Sequence, residues 1–287
     1  MLQLLRQLKI KKMVVVSMKV ITFAAIKGGV GKTTLTYNFG EWLADQKKNI
    51  LLIDSDQQAS LSQTYNIVEP EYSLANVFKN HIAPSKVIQK TIDQQIDILP
   101  SSMYVSEAEV DLQTRINREL QMYIWFYDHY DFFKKYDYIL IDSHPDFSLV
   151  TQNMIAISDY LISPVEPSEY SFNAKNLLEL RFAQLKKDLI DPHVQNKTHK
   201  SYIKAKLYYV GNRLKPEYES SQVFLKQMKQ DPQTIGYIDE NELLNQTTLF
   251  NKPLFSVDKR DLNSADRKFM DNVELVFKDF TKLGDDK

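Results

Sequence analysis

Residues 27–34 read Lys-Gly-Gly-Val-Gly-Lys-Thr-Thr, and they directly follow the apolar residues 20–26. The three glycines allow the backbone to curl so that successive N–H groups point inward at an anion, and a following helix adds the positive end of its dipole. In such a loop we expect Lys32 to lie against the β- and γ-phosphates of a nucleotide, and Thr33 to offer its hydroxyl to Mg²⁺. The stretch therefore predicts a phosphate-binding loop between a strand and a helix.

One position departs from the strict P-loop pattern, which places glycine where Ile26 stands. A chance Gly-Lys loop is the alternative interpretation, and the flanking sequence argues against it. Residues 19–26 predict a strand, and residues 33–46 carry apolar side chains at helical spacing, beginning with Leu35 and Phe39. The strand before the loop and the helix after it are both predicted.

Short apolar, strand-like runs alternate with helical segments along the chain. The sequence predicts strands at residues 19–26, 50–53, 96–99, 138–141, 160–162 and 206–210, with Pro164 closing the fifth. This alternation is typical of an α/β fold in which a mainly parallel, twisted sheet carries helices on both faces. We expect an N-terminal extension at residues 1–18, a single P-loop domain at 19–283 and a C-terminal tail at 284–287.

Polar residues stand where these predicted strands end. Asp54 closes the second strand, Asp142 closes the fourth, and Asn212 follows the sixth. Ligands of parallel sheets bind at the carboxyl ends of the strands, so we expect these residues beside the phosphate loop. Residues 136–142 form an apolar strand that ends in an acid, which predicts a Walker B aspartate that organises Mg²⁺ together with Thr33.

The segment Asp54-Ser55-Asp56 places two carboxylates in alternation beside the same site. Carboxylates at this place are able to position a water or to contact the shell of the metal. We therefore expect Asp54 to belong to the metal site, with Thr33 and Asp142, and Asp56 to act in catalysis.

Composition restricts the remaining possibilities. The 287 residues carry a formal net charge of −1 and no cysteine, which excludes a disulfide framework, a cysteine nucleophile and a thiolate-held iron–sulfur cluster. A chain this close to neutral binds nucleic acid only through a local basic patch. No apolar run reaches the ~18 residues of a membrane span, and the apolar residues 13–16 are too few for a signal peptide. We expect a cytoplasmic protein.

The loop resembles the deviant Walker A motif of the ParA/MinD family of P-loop ATPases, and the resemblance extends over residues 19–280. In that family the lysine that matches Lys27 crosses a dimer interface and touches the partner's nucleotide. The second aspartate of the family's Asp-x-Asp motif, matched by Asp56, supports hydrolysis. Asn212 stands where the family places an adenine-reading asparagine, and Pro253 fits a late Gly-Lys-Pro element.

The resemblance implies ATP and Mg²⁺ as cofactors and a P-loop NTPase fold of the deviant Walker A branch. The residues expected to bind ATP are Lys27, Gly28, Gly29, Val30, Gly31, Lys32, Thr33, Thr34, Asn212 and Pro253. The residues expected to act in catalysis are Lys27, Lys32, Asp56 and Asp142.

ParA-like dimers bind nonspecific DNA through a late basic surface. Between residues 197 and 215 this chain has six Lys or Arg and no Asp or Glu. The expected DNA contacts are Lys197, Lys200, Lys204, Arg213 and Lys215. An ordinary solvated run of charges explains the same residues equally well, and both interpretations stay open.

The function that the resemblance implies is that of a ParA-like ATPase for plasmid or chromosome partition. Such a protein forms an ATP-dependent homodimer, binds nonspecific DNA, associates with the nucleoid when ATP-bound, and hydrolyses ATP when a ParB-like centromere-binding partner stimulates it. A MinD-like positioning ATPase is an alternative that needs a basic amphipathic C-terminus, whereas residues 263–280 carry mixed charge and predict a docked helix and no membrane contact. A nucleotide-binding regulator with little turnover is the second alternative.

Overall fold

Strands form at the short apolar runs of the sequence. The computed structural model describes residues 18–190 and 201–285. Within these residues the strands are β1 (Lys19–Phe23), β2 (Ile50–Asp54), β3 (Gln89–Lys90), β4 (Ile96–Leu99), β5 (Tyr138–Asp142), β6 (Tyr160–Val165), β7 (Lys206–Leu214) and β8 (Thr234–Asp239).

Helices connect these strands, and polar side chains mark where several of them begin. The described helices are α1 (Lys32–Asp45), α2 (Ser60–Thr64), α3 (Leu74–Asn80), α4 (Pro84–Val87), α5 (Val105–Gln113), α6 (Gln121–Asp128), α7 (Tyr130–Phe133), α8 (Leu149–Ile157), α9 (Glu169–Asp188), α10 (Glu219–Gln230), α11 (Glu242–Phe250) and α12 (Ser264–Lys282). The Ser168 hydroxyl accepts from the Ser171 N–H at the start of α9, and Asn263 caps α12 in the same way.

The described strands form one sheet in the order β3-β4-β2-β5-β1-β6-β7-β8. Every pairing is parallel except that between β3 and β4. Successive residues of β2 are buried on alternating sides of the sheet, Ile50 and Leu52 in one core and Leu51 and Ile53 in another, because helices cover both faces. The predicted α/β class with a mainly parallel sheet is confirmed.

The register of the central strands sets where the site lies. Phe23, the last residue of β1, is opposite Asp142, the last residue of β5. Asp54, the last residue of β2, is also opposite Asp142. The loop that leaves β1 and the two acids therefore meet at one edge of the sheet.

The C-terminal helix α12 docks on the sheet, as its sequence predicted. Its side chains Phe277 and Phe280 are buried, and their rings lie 5.2 and 5.3 Å from that of Phe39 on α1. Phe280 also packs against Phe23 of β1 at 6.0 Å. Aromatic burial of this kind dominates core energetics, so α12 is part of the fold. No helix in the described part of the chain is long and apolar enough to cross a membrane.

Strand boundaries differ from the predicted ones in the second half of the sheet. β6 continues through Pro164 to Val165, although proline was expected to end it. Proline is tolerated there because β1 ends opposite Ile162, so Pro164 pairs only with β7. The strands β3 and β8 are not predicted by the sequence, since β3 is only two residues long and β8 is interrupted by Gly236.

The side chain of Glu41, on α1, lies next to Tyr37 and Tyr65. The Tyr65 hydroxyl donates to Glu41 Oε1 at 2.7 Å, and the Tyr65 ring packs edge-on against Tyr37. Burial raises the pKa of Glu41 to about 7, although the hydrogen bond from Tyr65 opposes the shift. Ionisation of this side chain is therefore penalised in the folded state.

We expect the Glu41→Gln variant to be more stable than the parent at pH 8 and nearly equal to it at pH 4. A carboxyl whose folded pKa lies above its unfolded value loses stability as pH rises through the window between about 4.5 and about 7. The gain at pH 8 should be about 1–3 kcal/mol in urea unfolding. The exposed Glu71→Gln serves as the control, and an E41Q gain that does not vary with pH would contradict the interpretation.

Candidate nucleotide-binding site

Residues 24–31 connect β1 to α1 and contain the first five residues of the predicted phosphate loop, whose last three residues begin α1. Gly29 and Gly31 have φ of 76° and 97°, in the left-handed region that favours glycine. A Cβ at Gly31 would lie 2.4 Å from Asn212 Nδ2, so glycine is also needed there for space. Lys32, the first residue of α1, is only 7% exposed.

Asn212 supports this loop from β7. Its side chain is buried, and Nδ2 donates to the Val30 carbonyl at 2.8 Å. The sequence predicts Asn212 near the nucleotide but does not predict this bond, because nothing local to either residue indicates it. The adenine-reading role of Asn212 stays a prediction, and its amide nitrogen is engaged by the loop in this structure.

Thr33 and Asp142 are brought together as predicted. The Thr33 hydroxyl donates to Asp142 Oδ2 at 2.6 Å. The other oxygen, Asp142 Oδ1, is buried and has no hydrogen-bond partner among the described residues. Burial, with a smaller contribution from the negative charge of Asp54, raises the pKa of Asp142 to about 8. An unpartnered buried carboxylate oxygen beside a threonine hydroxyl is a donor set that fits Mg²⁺.

Lys32 provides the positive charge of the site. Burial lowers its pKa, although the carboxylates of Asp142, Asp56 and Asp146 favour the charged form. The three acids therefore lie close enough to Lys32 to favour its charged form. A polyphosphate with a divalent cation would supply charge partners to both Lys32 and Asp142.

The two aspartates after β2 have different environments. Asp54 is fully buried, and its oxygens accept from the Ser62 N–H at 2.8 Å, the Ser62 hydroxyl at 2.7 Å and the Asp56 N–H at 3.1 Å. Its carboxylate therefore holds the segment 55–62 in place, which the sequence did not reveal, and its predicted contact with the metal shell stays a prediction. Asp56 is partly exposed and accepts a hydrogen bond from the Gln58 N–H at 2.9 Å. Its negative charge favours the charged form of Lys32.

Lys27 makes contacts that the sequence analysis did not anticipate. Its ammonium forms an ion pair with the Glu166 carboxylate and also donates to the Ser168 and Ser171 hydroxyls at 3.2 and 3.3 Å. Glu166 follows the last residue of β6. The rule that singled out Asp54 and Asp142, an acid at the carboxyl end of a strand, would have found Glu166 if β6 had been predicted at its full length.

Other predicted residues lie further from the phosphate loop. Pro253 directly precedes Leu254, whose N–H donates to Asn38 Oδ1 of α1 at 2.8 Å. Asn38 Nδ2 in turn donates to Thr247 Oγ1 at 2.8 Å. These bonds fix the segment that contains Pro253 against the helix that follows the loop, and its contact with a nucleotide stays a prediction.

The predicted basic run does not form one patch among its described members. Lys197 and Lys200 lie outside the described residues. Lys204 precedes β7, whereas Arg213 and Lys215 lie at its far end, and nine residues of strand span about 30 Å. Lys215 is further engaged in an ion pair with Glu240 at 2.8 Å. Residues adjacent in the sequence are separated because the strand between them is extended.

Residues 18–190 and 201–285 contain no group of three or more His, Cys, Asp or Glu side chains that could hold a metal ion. A site built from one hydroxyl and one carboxylate differs from such a cage. Mg²⁺ usually takes one or two protein ligands and completes its shell with phosphate oxygens and waters. The pair of Thr33 and Asp142 is of this kind.

Comparisons with known proteins agree with this geometry. Residues 18–195 match the model of a family described as AAA domain. An uncharacterized protein of Mycobacterium tuberculosis is 34% identical over 168 residues, which cover 56% of this chain and 50% of that protein. The sporulation initiation inhibitor protein Soj of Bacillus subtilis is 30% identical over 163 residues, covering 56% of this chain and 63% of Soj. The matched region thus spans half to two thirds of these relatives' length.

A solved structure shares the fold over nearly the whole chain. A plasmid partition protein of Borrelia burgdorferi B31, bound to AMPPNP, superimposes with a TM-score of 0.74 at 22% identity. The match covers 93% of this chain and 100% of that one. The eight-stranded, mostly parallel sheet of the described residues therefore has the same fold as that protein.

We expect Gly31→Ala to destabilise the protein more than Gly29→Ala. Both glycines have positive φ, so alanine at either position costs about 1 kcal/mol of backbone strain. Only the Cβ at position 31 meets another atom within 4 Å, the side chain of Asn212, so its total loss should be about 2–4 kcal/mol. Urea unfolding without nucleotide measures both.

The double variant G31A/N212A tests the cause of this difference. Removing the Asn212 amide relieves the overlap, so the double variant should be more stable than the sum of the two single effects predicts, by about 1 kcal/mol or more. Equal losses for G29A and G31A, or strictly additive effects in the double variant, would contradict the predicted contact.

Proposed function

The chain belongs to the AAA domain family. We propose that it is a ParA/Soj-type, Mg²⁺-dependent, deviant Walker A ATPase for plasmid or chromosome partition. The single observation that carries the proposal is the buried, unpartnered Asp142 Oδ1 beside the Thr33 hydroxyl. A site of this composition is suited to a metal–nucleotide complex.

Each residue of the site has a task in ATP hydrolysis. When bound, Mg²⁺ supplies charge neutralisation at the β- and γ-phosphates. Thr33 and Asp142 would hold the ion, while Lys32 and the loop N–H groups of residues 28–34 would bind the phosphates. The Asp56 carboxylate accepts a hydrogen bond from the attacking water and orients it toward the γ-phosphate. Lys27 reaches the nucleotide of a second subunit, so ATP bridges a two-fold dimer.

The dimer binds nonspecific DNA in this proposal, and hydrolysis releases it. A ParB-like centromere-binding partner stimulates that hydrolysis, which makes the protein a nucleotide-driven switch in the cytoplasm that associates with the nucleoid when ATP-bound. A MinD-like membrane role is disfavoured, because α12 buries its apolar face against the sheet. A regulator with little turnover is an outcome of the tests below.

We expect substitutions of Lys32, Lys27 and Asp56 to separate three steps. Lys32→Ala should abolish ATP binding, since it removes the ammonium that neutralises the phosphates. Lys27→Ala should bind ATP but neither dimerise nor hydrolyse it. Asp56→Ala should bind ATP and dimerise, yet turn over about 10²–10⁴-fold more slowly, because the water is no longer oriented.

Titration with a fluorescent ATP analogue, light scattering and phosphate release measure these steps in turn. Lys226→Ala, on the exposed side of α10, is the control. Normal dimerisation and turnover of K27A would contradict the deviant Walker A assignment. ATP binding without turnover in the parent, with DNA and partner present, would favour the regulator.

DNA binding should depend on ATP and on salt. A dimer that engages ~6 phosphates has a log–log slope of affinity against salt of about −5. Alanine at Lys197, Lys200 and Lys204 together should flatten this slope without changing ATP affinity, whereas Lys229→Ala on α10 should not. Gel shifts across salt concentrations, with and without ATP, make the comparison. If the triple variant binds as well as the parent, the run is only a solvated surface.

A further inference from the structure

The ammonium of Lys27 is already occupied within its own subunit. It contacts the carboxylate of Glu166 and the hydroxyls of Ser168 and Ser171. Glu166 and Ser168 lie on the segment that joins β6 to α9, and Ser171 lies in the first turn of α9. The side chains of Lys27 and Glu166 are 29% and 21% exposed. The contacts of this ammonium therefore lie within its own subunit.

The position of Lys27 depends on Glu166 in particular. Ser168 is the N-cap of α9, a helix of 20 residues, so the ammonium lies at the positive end of the helix dipole. The Ser168 hydroxyl already accepts from the Ser171 N–H. A cation is disfavoured at a helix N-terminus, and the two hydroxyls offer no net charge. The carboxylate of Glu166 is therefore what stabilises Lys27 at this place.

We infer that Glu166 is a positioning residue that holds Lys27 in its own subunit and thereby opposes ATP-dependent dimerisation. The inference rests on the proposed function, in which Lys27 acts across the dimer. Lys27 cannot contact Glu166 of its own subunit and the partner's nucleotide at the same time. Each protomer must therefore break the pair before the dimer closes, and the free energy of the pair sets how much ATP-bound protein is dimeric.

The test compares Glu166→Gln with Glu169→Gln. E166Q keeps the size and a carbonyl oxygen of the side chain but removes the charge. Glu169 is an exposed acid in the first turn of α9 and is not among the side chains that contact Lys27, so E169Q removes the same charge from the same helix end. Sedimentation with AMPPNP gives the dimer dissociation constant without hydrolysis.

We expect E166Q to dimerise more tightly than the parent and E169Q to match it. A partly exposed ion pair is worth a factor of about 5 in an equilibrium constant. Since both protomers of a two-fold dimer release their lysine, the dissociation constant should fall about 25-fold. AMPPNP affinity of the monomer should not change.

A second measurement tests the ion pair between Lys27 and Glu166 without requiring dimerisation. Acetylation of lysines by a succinimidyl ester in nucleotide-free protein, quantified by mass spectrometry, should label Lys27 several-fold faster in E166Q than in E169Q. The exposed Lys226 serves as the internal reference. Equal labelling of Lys27 in the two variants would overturn the restraint itself.

The outcomes separate the inference from its premise. A parent that dimerises with AMPPNP beside an E166Q variant that dimerises equally or more weakly overturns the inference alone. Monomers in every variant despite bound AMPPNP contradict the proposed dimer, and with it any control that Glu166 exerts on it.

Discussion

The parallel pairing of β5 with both β1 and β2 is the constraint on which the site depends. It puts Asp142 opposite Phe23 on one side and opposite Asp54 on the other. The phosphate loop leaves the sheet just beyond Phe23, so its threonine reaches Asp142 as α1 begins. A slip of one residue in either pairing would turn Asp142 to the opposite face of the sheet and remove it from Thr33.

The buried carboxylates of Asp54 and Asp142 differ in the number of hydrogen bonds that they accept, and this difference distinguishes their roles. Asp54 and Asp142 are both fully buried, and an uncompensated buried carboxylate is costly. Three donors from Ser62 and Asp56 offset part of the cost of burying Asp54, although burial still raises its pKa to about 6. Among the described residues, the carboxylate of Asp142 accepts a hydrogen bond only from the Thr33 hydroxyl. At both Lys32 and Asp142, burial affects the pKa more than the nearby opposite charges do, so the pKa of Lys32 is lowered and that of Asp142 is raised. A bound ligand that carries compensating charges would therefore complete the site.

The last third of the described chain supports the loop and its helix. Asn212 of β7 bonds to the Val30 carbonyl, and Asn38 of α1 is bonded to Thr247 and Leu254. Helix α12 closes the aromatic cluster over α1. The family match ends at residue 195, yet these later residues hold the site in shape. A loop fixed by such long-range bonds is organised before a nucleotide arrives, which lowers the cost of binding.

The sequence by itself determined the local features: the phosphate loop, the strand that ends in Asp142 and the apolar stripe of α12. Each of these depends on spacing along the chain, which fixes backbone geometry and burial over a few residues. Only the tertiary structure decided that Asn212 bonds to the loop, that Lys27 pairs with Glu166, and that β7 divides the basic run. The physical reason is one of range. Hydrogen bonds and ion pairs form between side chains a few ångströms apart in space, and residues 139 or 182 positions apart in sequence are brought that close only by the order and register of the strands.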